Sequence, residues 1–360
     1  MNLALIQQAL DSIHNPYTQQ TFGADKVVQG LTEQNDGSLA LKLQFGYPIQ
    51  GIAQEISQWV ETALDGLVAA DKIQLQLFQH IVAHKVQQGV STIKNVKNII
   101  AIASGKGGVG KSTTTANLAL AMSKMGARVG VLDADIYGPS QPAMLGVAKE
   151  KPLQKNDHFI PVVANGDIQV MSIGFMVEEK EAIIWRGPMV SQALQQLLFQ
   201  TAWDDLDYLF IDLPPGTGDV QLTLSQKIPV TGAVVVSTPQ DIALLDAKKA
   251  ISMFEKVNIS IMGVVENMSM HVCSQCGHAE PIFGTGGAEA LAGDLKVPLL
   301  GKLPLAMPIR LAMDAGDAVG MQAKETEIAK LYQDAALHIA ISLAQKSKDF
   351  SGIMPKIVVE

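Results

Sequence analysis

Apolar positions recur at two spacings along this chain, and the way the spacings alternate divides it in two. Over the first 93 residues, short segments of each kind follow one another. Helical spacing runs over 3–13. Two β-type runs, 27–34 and 38–45, are joined by Asn35-Asp36-Gly37, a hairpin signal. A second helical stretch, about 52–68, puts Ile52, Ile56, Val60, Leu64 and Leu67 on one face. A strand at 73–78 closes the series. The order αββαβ predicts a small α+β domain over 1–79. The stretch 80–97 is polar and basic and reads as a linker. His80 and His84 stand there at i, i+4, the spacing of a metal pair on a helix. No third ligand is near in sequence, so a solvated linker face is the expectation.

From Asn98 the pattern changes. Strands are expected at 99–103, 128–132, 168–173, 208–211, 233–237, 261–265 and 297–300, with helices between them. Several of these strands are continuous apolar runs, which predicts a mostly parallel sheet covered on both faces. Such a sheet takes its ligand at the carboxyl ends of its strands. A last helix at 328–343 carries Ile328, Leu331, Ala335 and Ile339 on one stripe. The second domain is set at 98–348, with a tail over 349–360 that lacks a basic amphipathic pattern.

Polar motifs collect where that rule puts the ligand. After the first strand comes Gly105-Lys106-Gly107-Gly108-Val109-Gly110-Lys111-Ser112-Thr113, then a helical run at 116–125. Glycines let backbone N–H groups turn inward around phosphate oxygens, and the following helix aims its own N–H groups at the same anion. Lys111 is placed to reach the β- and γ-phosphates, and Ser112 to put its hydroxyl on Mg²⁺. Lys106 is more than such a loop requires, and a facing subunit's nucleotide is a natural target for it, as for an arginine finger in trans. Asp133 and Asp135 follow the second strand. A carboxylate at Asp135 can orient an attacking water, Asp133 reads as a strand-end or Mg²⁺-shell residue, and the competing role is a turn cap before Gly138-Pro139. Asp212 ends the apolar fourth strand, the Walker B arrangement, and would hold Mg²⁺. Pro214, Pro215, Gly216 and Gly218 come next, two restricted positions and two hinges. Asp219 reads as a helix cap. Thr238-Pro239-Gln240 and Glu266-Asn267-Met268 end the fifth and sixth strands. The glycine run 283–287 follows no expected strand and reads as a loop opening a helix at 288–292. Ile184-Trp185-Arg186-Gly187-Pro188-Met189 reads as a turn with proline in the first helical turn.

Composition narrows the function. The formal charge of -8 argues against non-specific nucleic-acid binding. There is no run of about 18 apolar residues, so no membrane span is expected. The N-terminus shows neither a basic n-region nor a cleavage site, and the expected location is the cytoplasm. Cys273 and Cys276, spaced C-x-x-C, are the two cysteines of the chain, which excludes a disulfide scaffold. Thiolates at this spacing bind a metal or two corners of an iron–sulfur cluster. Other readings are a Cys₂His₂ zinc site completed by His271 and His278, a redox pair, or inert thiols.

The loop KGGVGKST resembles the deviant Walker A ATPases, and the span from Asn98 to about residue 343 resembles the Mrp/ApbC-type iron–sulfur cluster carriers within that group. The first 79 residues resemble the small MIP18-type domain often found ahead of such ATPases, in helix and strand order. The resemblance implies a nucleotide-sandwich homodimer in which Lys106 reaches across. It implies that Lys106, Lys111 and Asp135 serve ATP hydrolysis, that 214–218 is the second switch, and that Asn267 bonds adenine. A full thiolate shell takes four cysteines, and two chains would supply Cys273 and Cys276 twice, closing a [4Fe–4S] cluster on the two-fold axis. The implied function is ATP-dependent delivery of that cluster to apo-proteins, with those clients and cluster-assembly scaffolds as partners. The alternative is a membrane- or nucleoid-positioning ATPase with zinc at the cysteine pair. A P-loop kinase would need a substrate lid, which the sequence does not show.

Overall fold

The computed structural model describes residues 1–87, 89–176, 187–273, 275–318 and 326–348. The chain forms two compact units, Met1–Ile81 and Val82–Glu360.

In the first unit, α1 (Leu3–Asp11) is opened by Asn2, whose side chain accepts from the Leu5 N–H, and it buries Ile6 and Leu10. β1 (Val28–Glu33) and β2 (Leu39–Phe45) pair antiparallel. Asp36 fixes their turn by accepting from both the N–H and the hydroxyl of Ser38. After α2 (Ala53–Ala63), β3 (Ile73–Gln79) joins β2 in parallel. Leu39, Leu41, Leu43 and Phe45 all face the core, the period-two pattern of a half-covered sheet. The αββαβ order is as expected. A two-rung ladder between His14–Asn15 and Gln20–Thr21 is additional, and α2 stops five residues short of the predicted end.

The linker differs from expectation. No helix pairs His80 with His84. His80 is exposed, whereas His84 is 3% exposed and its Nδ1 lies 2.9 Å from Asn98 Oδ1. Burial holds this imidazole below its ordinary pKa, so it packs as the neutral ring. The segment is pinned along its length. Asn98 donates to Val82 O, and residues 84–85 pair with 347–348. Gln87 Nε2 donates to the carbonyls of Ser225 and Ile228 at 2.7 and 3.0 Å.

In the second unit, eight strands form one sheet. They are β4 (Val96–Ala103), β5 (Val129–Asp133), β6 (Val162–Ala164), β7 (Ile168–Ser172), β8 (Leu206–Asp212), β9 (Gly232–Ser237), β10 (Ile261–Glu266) and, last in the sheet, a strand at Leu299–Lys302. The spatial order is β6-β7-β5-β8-β4-β9-β10 and then the Leu299 strand, and every pairing is parallel except β6 with β7. All seven predicted strands are present. β4 begins at Val96, so the linker's last residues belong to the sheet. β6, three residues long, carries no legible pattern. Every residue of β8 and β9 is buried, which requires cover on both faces.

The helices supply that cover. α3 (Lys111–Lys124) crosses from β4 to β5, and α4 (Gln141–Met144) is a single turn. α5 (Gly187–Gln200) has Pro188 in its first turn, as predicted, while Ile184 to Arg186 lie outside the described residues. α6 (Asp219–Lys227) follows β8. α7 (Asp241–Lys256) and α8 (Gly287–Leu295) bury Ala247, Ala250, Ile251, Ala288 and Leu291 against Val235 and Val264. The last helix runs Glu327–Ala344. Among the described residues, no helix is long and apolar enough to cross a membrane.

Candidate functional site

β4 ends at Ala103 and α3 begins at Lys111, so the loop 104–110 lies at the carboxyl edge of the central strand. Its shape depends on glycine at two points. Gly110, the residue before α3, sits at φ +84, and a Cβ there would come 2.2 Å from Asn267 Nδ2. A Cβ on Gly105 would lie 2.1 Å from the backbone carbonyl carbon of Asp246 in α7. Both positions are closed to a side chain.

Five side chains drawn from positions 111 to 212 meet behind this loop. Lys111 Nζ donates to Asp212 Oδ1 at 2.5 Å and to Ser112 Oγ at 3.2 Å, and lies 3.9 Å from Asp135 Oδ2. Asp212 and Asp133 are fully buried at neighbouring strand ends, directly paired in register. Burial and the Asp212 charge push the Asp133 carboxyl up to about 7. Its oxygens accept from the backbone N–H groups of Asp135, Ser140 and Gln141 and from the Ser172 hydroxyl, so Asp133 organises the loop that follows it. Asp135 is half-buried, and burial also lifts its carboxyl, with Lys111 opposing the rise and Asp212 adding to it.

Two participants are absent from the sequence-based reading. Thr115 Oγ1 donates to Asp212 Oδ1 at 3.2 Å. Its signal is position i+4 from Lys111 on α3. Gln141 Nε2 donates to Asp212 Oδ2 and to Ser112 O, both at 2.9 Å. Glutamine in a one-turn helix carries no sequence signal for that task.

The other predicted residues take these places. Gly107, Gly108 and Val109 complete the loop, and Thr113 lies in the first turn of α3. Lys106 is half-buried, its carbonyl accepts from Ser104 Oγ, and among the described residues it forms no ion pair. Pro214 is buried and Pro215 exposed, with Pro215 carbons 3.9–4.0 Å from where a Gly107 Cβ would stand. Gly216 N–H donates to Ser104 O, tying the segment 214–218 to the loop 104–110, and Gly218 precedes α6. Asn267 is buried and donates to Val109 O at 2.8 Å, so its amide holds the loop backbone. Glu266 accepts from the Ala288 N–H at the start of α8. That carboxylate fills the helix end behind the second glycine run.

From Asn267 the chain runs directly into a small hairpin. His271–Val272 pairs with Ala279–Glu280, and the cysteines stand in the connecting loop. Cys273 N–H donates to His278 O, and Gly277 N–H to Cys273 O. Backbone N–H groups of Gln275 and Cys276, with the Cys276 side chain, draw the Cys273 thiol below its ordinary pKa. Cys276 is exposed. His271 Nδ1 lies 3.2 Å from Leu305 O. Among the described residues, no three His, Cys, Asp or Glu side chains are grouped to hold one metal ion, so the Cys₂His₂ arrangement is not assembled.

A glycine-rich loop between β4 and α3, with a buried aspartate ending the neighbouring parallel strand, on the carboxyl edge of this sheet is the arrangement of a P-loop NTPase. Residues 95–340 match the family model described as ParA, NUBPL iron-transfer P-loop NTPase. The chain is 49% identical to the iron-sulfur cluster carrier protein of Haemophilus influenzae, over 94% of this chain and 91% of that one. It is 48% identical to mouse iron-sulfur cluster transfer protein NUBPL, over 71% and 79%. Among solved structures it is similar to an Archaeoglobus fulgidus nucleotide-binding protein in complex with ADP, with cobalt. That match has a TM-score of 0.57 and 39% identity, and covers 63% of this chain and 89% of that one. The chain belongs to the NUBPL-type iron–sulfur branch of the ParA family of P-loop NTPases.

Proposed function

We propose that this chain is an ATP-hydrolysing carrier that binds a [4Fe–4S] cluster between two copies of itself and transfers it to apo-proteins. One observation carries the reading. Asn267, which holds the phosphate loop, stands six residues before Cys273, and no secondary element intervenes except the start of the cysteine hairpin. Nucleotide and cargo sites therefore share one short segment of backbone.

In this reading the loop N–H groups of 105–110 and Lys111 hold the phosphates. Lys111 then exchanges Asp212 for phosphate oxygen. Ser112 and Asp212, hard oxygen donors beside a second buried carboxylate, fit Mg²⁺: burial and, after it, the Asp212 charge lift Asp133, and a divalent cation offsets the charge part. When bound, Mg²⁺ neutralises charge on the β- and γ-phosphates. Asp135 orients the attacking water, and Asn267 is the residue proposed to bond adenine. Lys106 extends to the nucleotide of a second copy. Cys273 and Cys276 from each copy supply the four thiolates of the cluster. The relatives' names as iron–sulfur cluster carrier and transfer proteins support the cargo, and the paired thiols, with no third His, Cys, Asp or Glu grouped beside them among the described residues, support sharing between chains.

Anaerobic reconstitution with iron and sulfide tests this. About four iron and four sulfide are expected per two chains, and none for Cys273→Ala/Cys276→Ala. One zinc held by each solitary chain refutes it. Cluster transfer by Lys111→Ala tests the coupling, which is lost if ATP leaves wild-type transfer unchanged.

A further inference from the structure

Gln141 is completely buried, yet one of its polar atoms has no partner. Its Nε2 gives one hydrogen to Asp212 Oδ2 and the other to Ser112 O, each at 2.9 Å. Its own backbone N–H donates to Asp133 Oδ2 at 3.0 Å. A single residue thus touches the Walker B carboxylate, the serine of the phosphate loop and the second buried aspartate. Turning the amide over would put Oε1 against two acceptors, so the orientation is fixed by its neighbours. That leaves Oε1 as an acceptor facing no donor, in a place where burial makes an unmet acceptor costly.

A residue that bonds the Asp212 carboxylate and the backbone carbonyl of Ser112, and keeps a spare acceptor beside them, has the form of an outer-shell support. We propose that Gln141 is a positioning residue for Mg²⁺, holding Asp212 and Ser112 in place and accepting a hydrogen bond from a water of the metal's shell through Oε1. This rests on the nucleotide reading above. The remaining atoms of Asp212 are accounted for: Oδ1 takes Lys111 and Thr115, and Oδ2 takes Gln141. Without the amide, Oδ2 loses the Gln141 hydrogen bond and the carboxylate is free to rotate about the Oδ1 contacts.

Gln141→Met keeps the length and removes the hydrogen bonds. Gln141→Glu keeps the shape and puts an oxygen against Asp212. Binding of a fluorescent ADP is measured by anisotropy in EDTA and across a Mg²⁺ titration, with the melting temperature of each full-length variant recorded. Both variants are expected to need about tenfold more Mg²⁺ for half-maximal tightening, while ADP affinity in EDTA stays within about twofold of wild type. A wild-type Mg²⁺ profile for Gln141→Met overturns the proposal. So does an equal loss with and without Mg²⁺, which would mark a packing role. If wild type binds no ADP at all, the nucleotide reading falls and takes this inference with it. If wild type tightens with Mg²⁺ and Gln141→Met tightens identically, the inference alone falls.

Discussion

Asp207 and Asp212 lie on the same strand, five residues apart, and meet cations at opposite ends of it. At the amino end, Asp207 receives Lys97 Nζ at 2.8 Å and three donors of Arg128: the backbone N–H, Nε and Nη2. Burial alone would raise its pKa, but the bonds to Arg128 and Lys97 outweigh burial and hold the carboxyl below its ordinary 3.8. A lowered folded-state pKa stabilises the fold above the ordinary value and loses that contribution as pH falls through the folded one. Asp207→Asn is therefore expected to cost about 1–2 kcal/mol at pH 7, discounted for the half-exposed Arg128. In urea melts the gap from wild type should close below pH 3.8. Gly105→Ala makes a sharper expectation. Its Cβ would meet backbone, which cannot rotate away, so a loss above about 2 kcal/mol and no ADP binding are expected in the same melts and in anisotropy. The loop residues were legible because spacing alone announces them. Gln141 and Thr115 were not, since their work is defined by partners brought close only by the fold.

At the scale of elements, the sheet was legible where strands are continuous apolar runs, and β6 was not because three residues carry no period. The linker was misread for a physical reason: a polar segment looks solvated unless its partners are known, and His84 and Gln87 find theirs on β4 and α6. The segment after β10 is the element on which the proposed coupling depends. Asn267→Ala removes the bond to Val109 O and leaves a loop carbonyl unpaired. A stability loss of about 1–2 kcal/mol is expected. Iron and sulfide content should stay at the wild-type level while the ATP-dependence of cluster transfer falls. Unchanged ATP-dependence in a stopped-flow transfer assay would separate the two sites.

For the whole molecule, the division at residue 82 has a measurable consequence. The second unit buries its own strands, so a fragment beginning at Val82 is expected to melt cooperatively in calorimetry and to bind ADP. A fragment beginning at Asn98, the boundary read from sequence, lacks the bonds of Val82, His84 and Gln87. It is expected to be less stable by about 2–4 kcal/mol, from several lost hydrogen bonds and the uncovering of buried groups. Equal melting of the two fragments would show that the strap contributes nothing.

Glu266 shapes what the sheet's edge offers to an arriving anion. Two glycine-rich turns open helices along that edge, and each helix end would attract phosphate. The glutamate occupies one with a tethered negative charge of its own. Of these two turns, the one at 104–110 alone is left open to a phosphate.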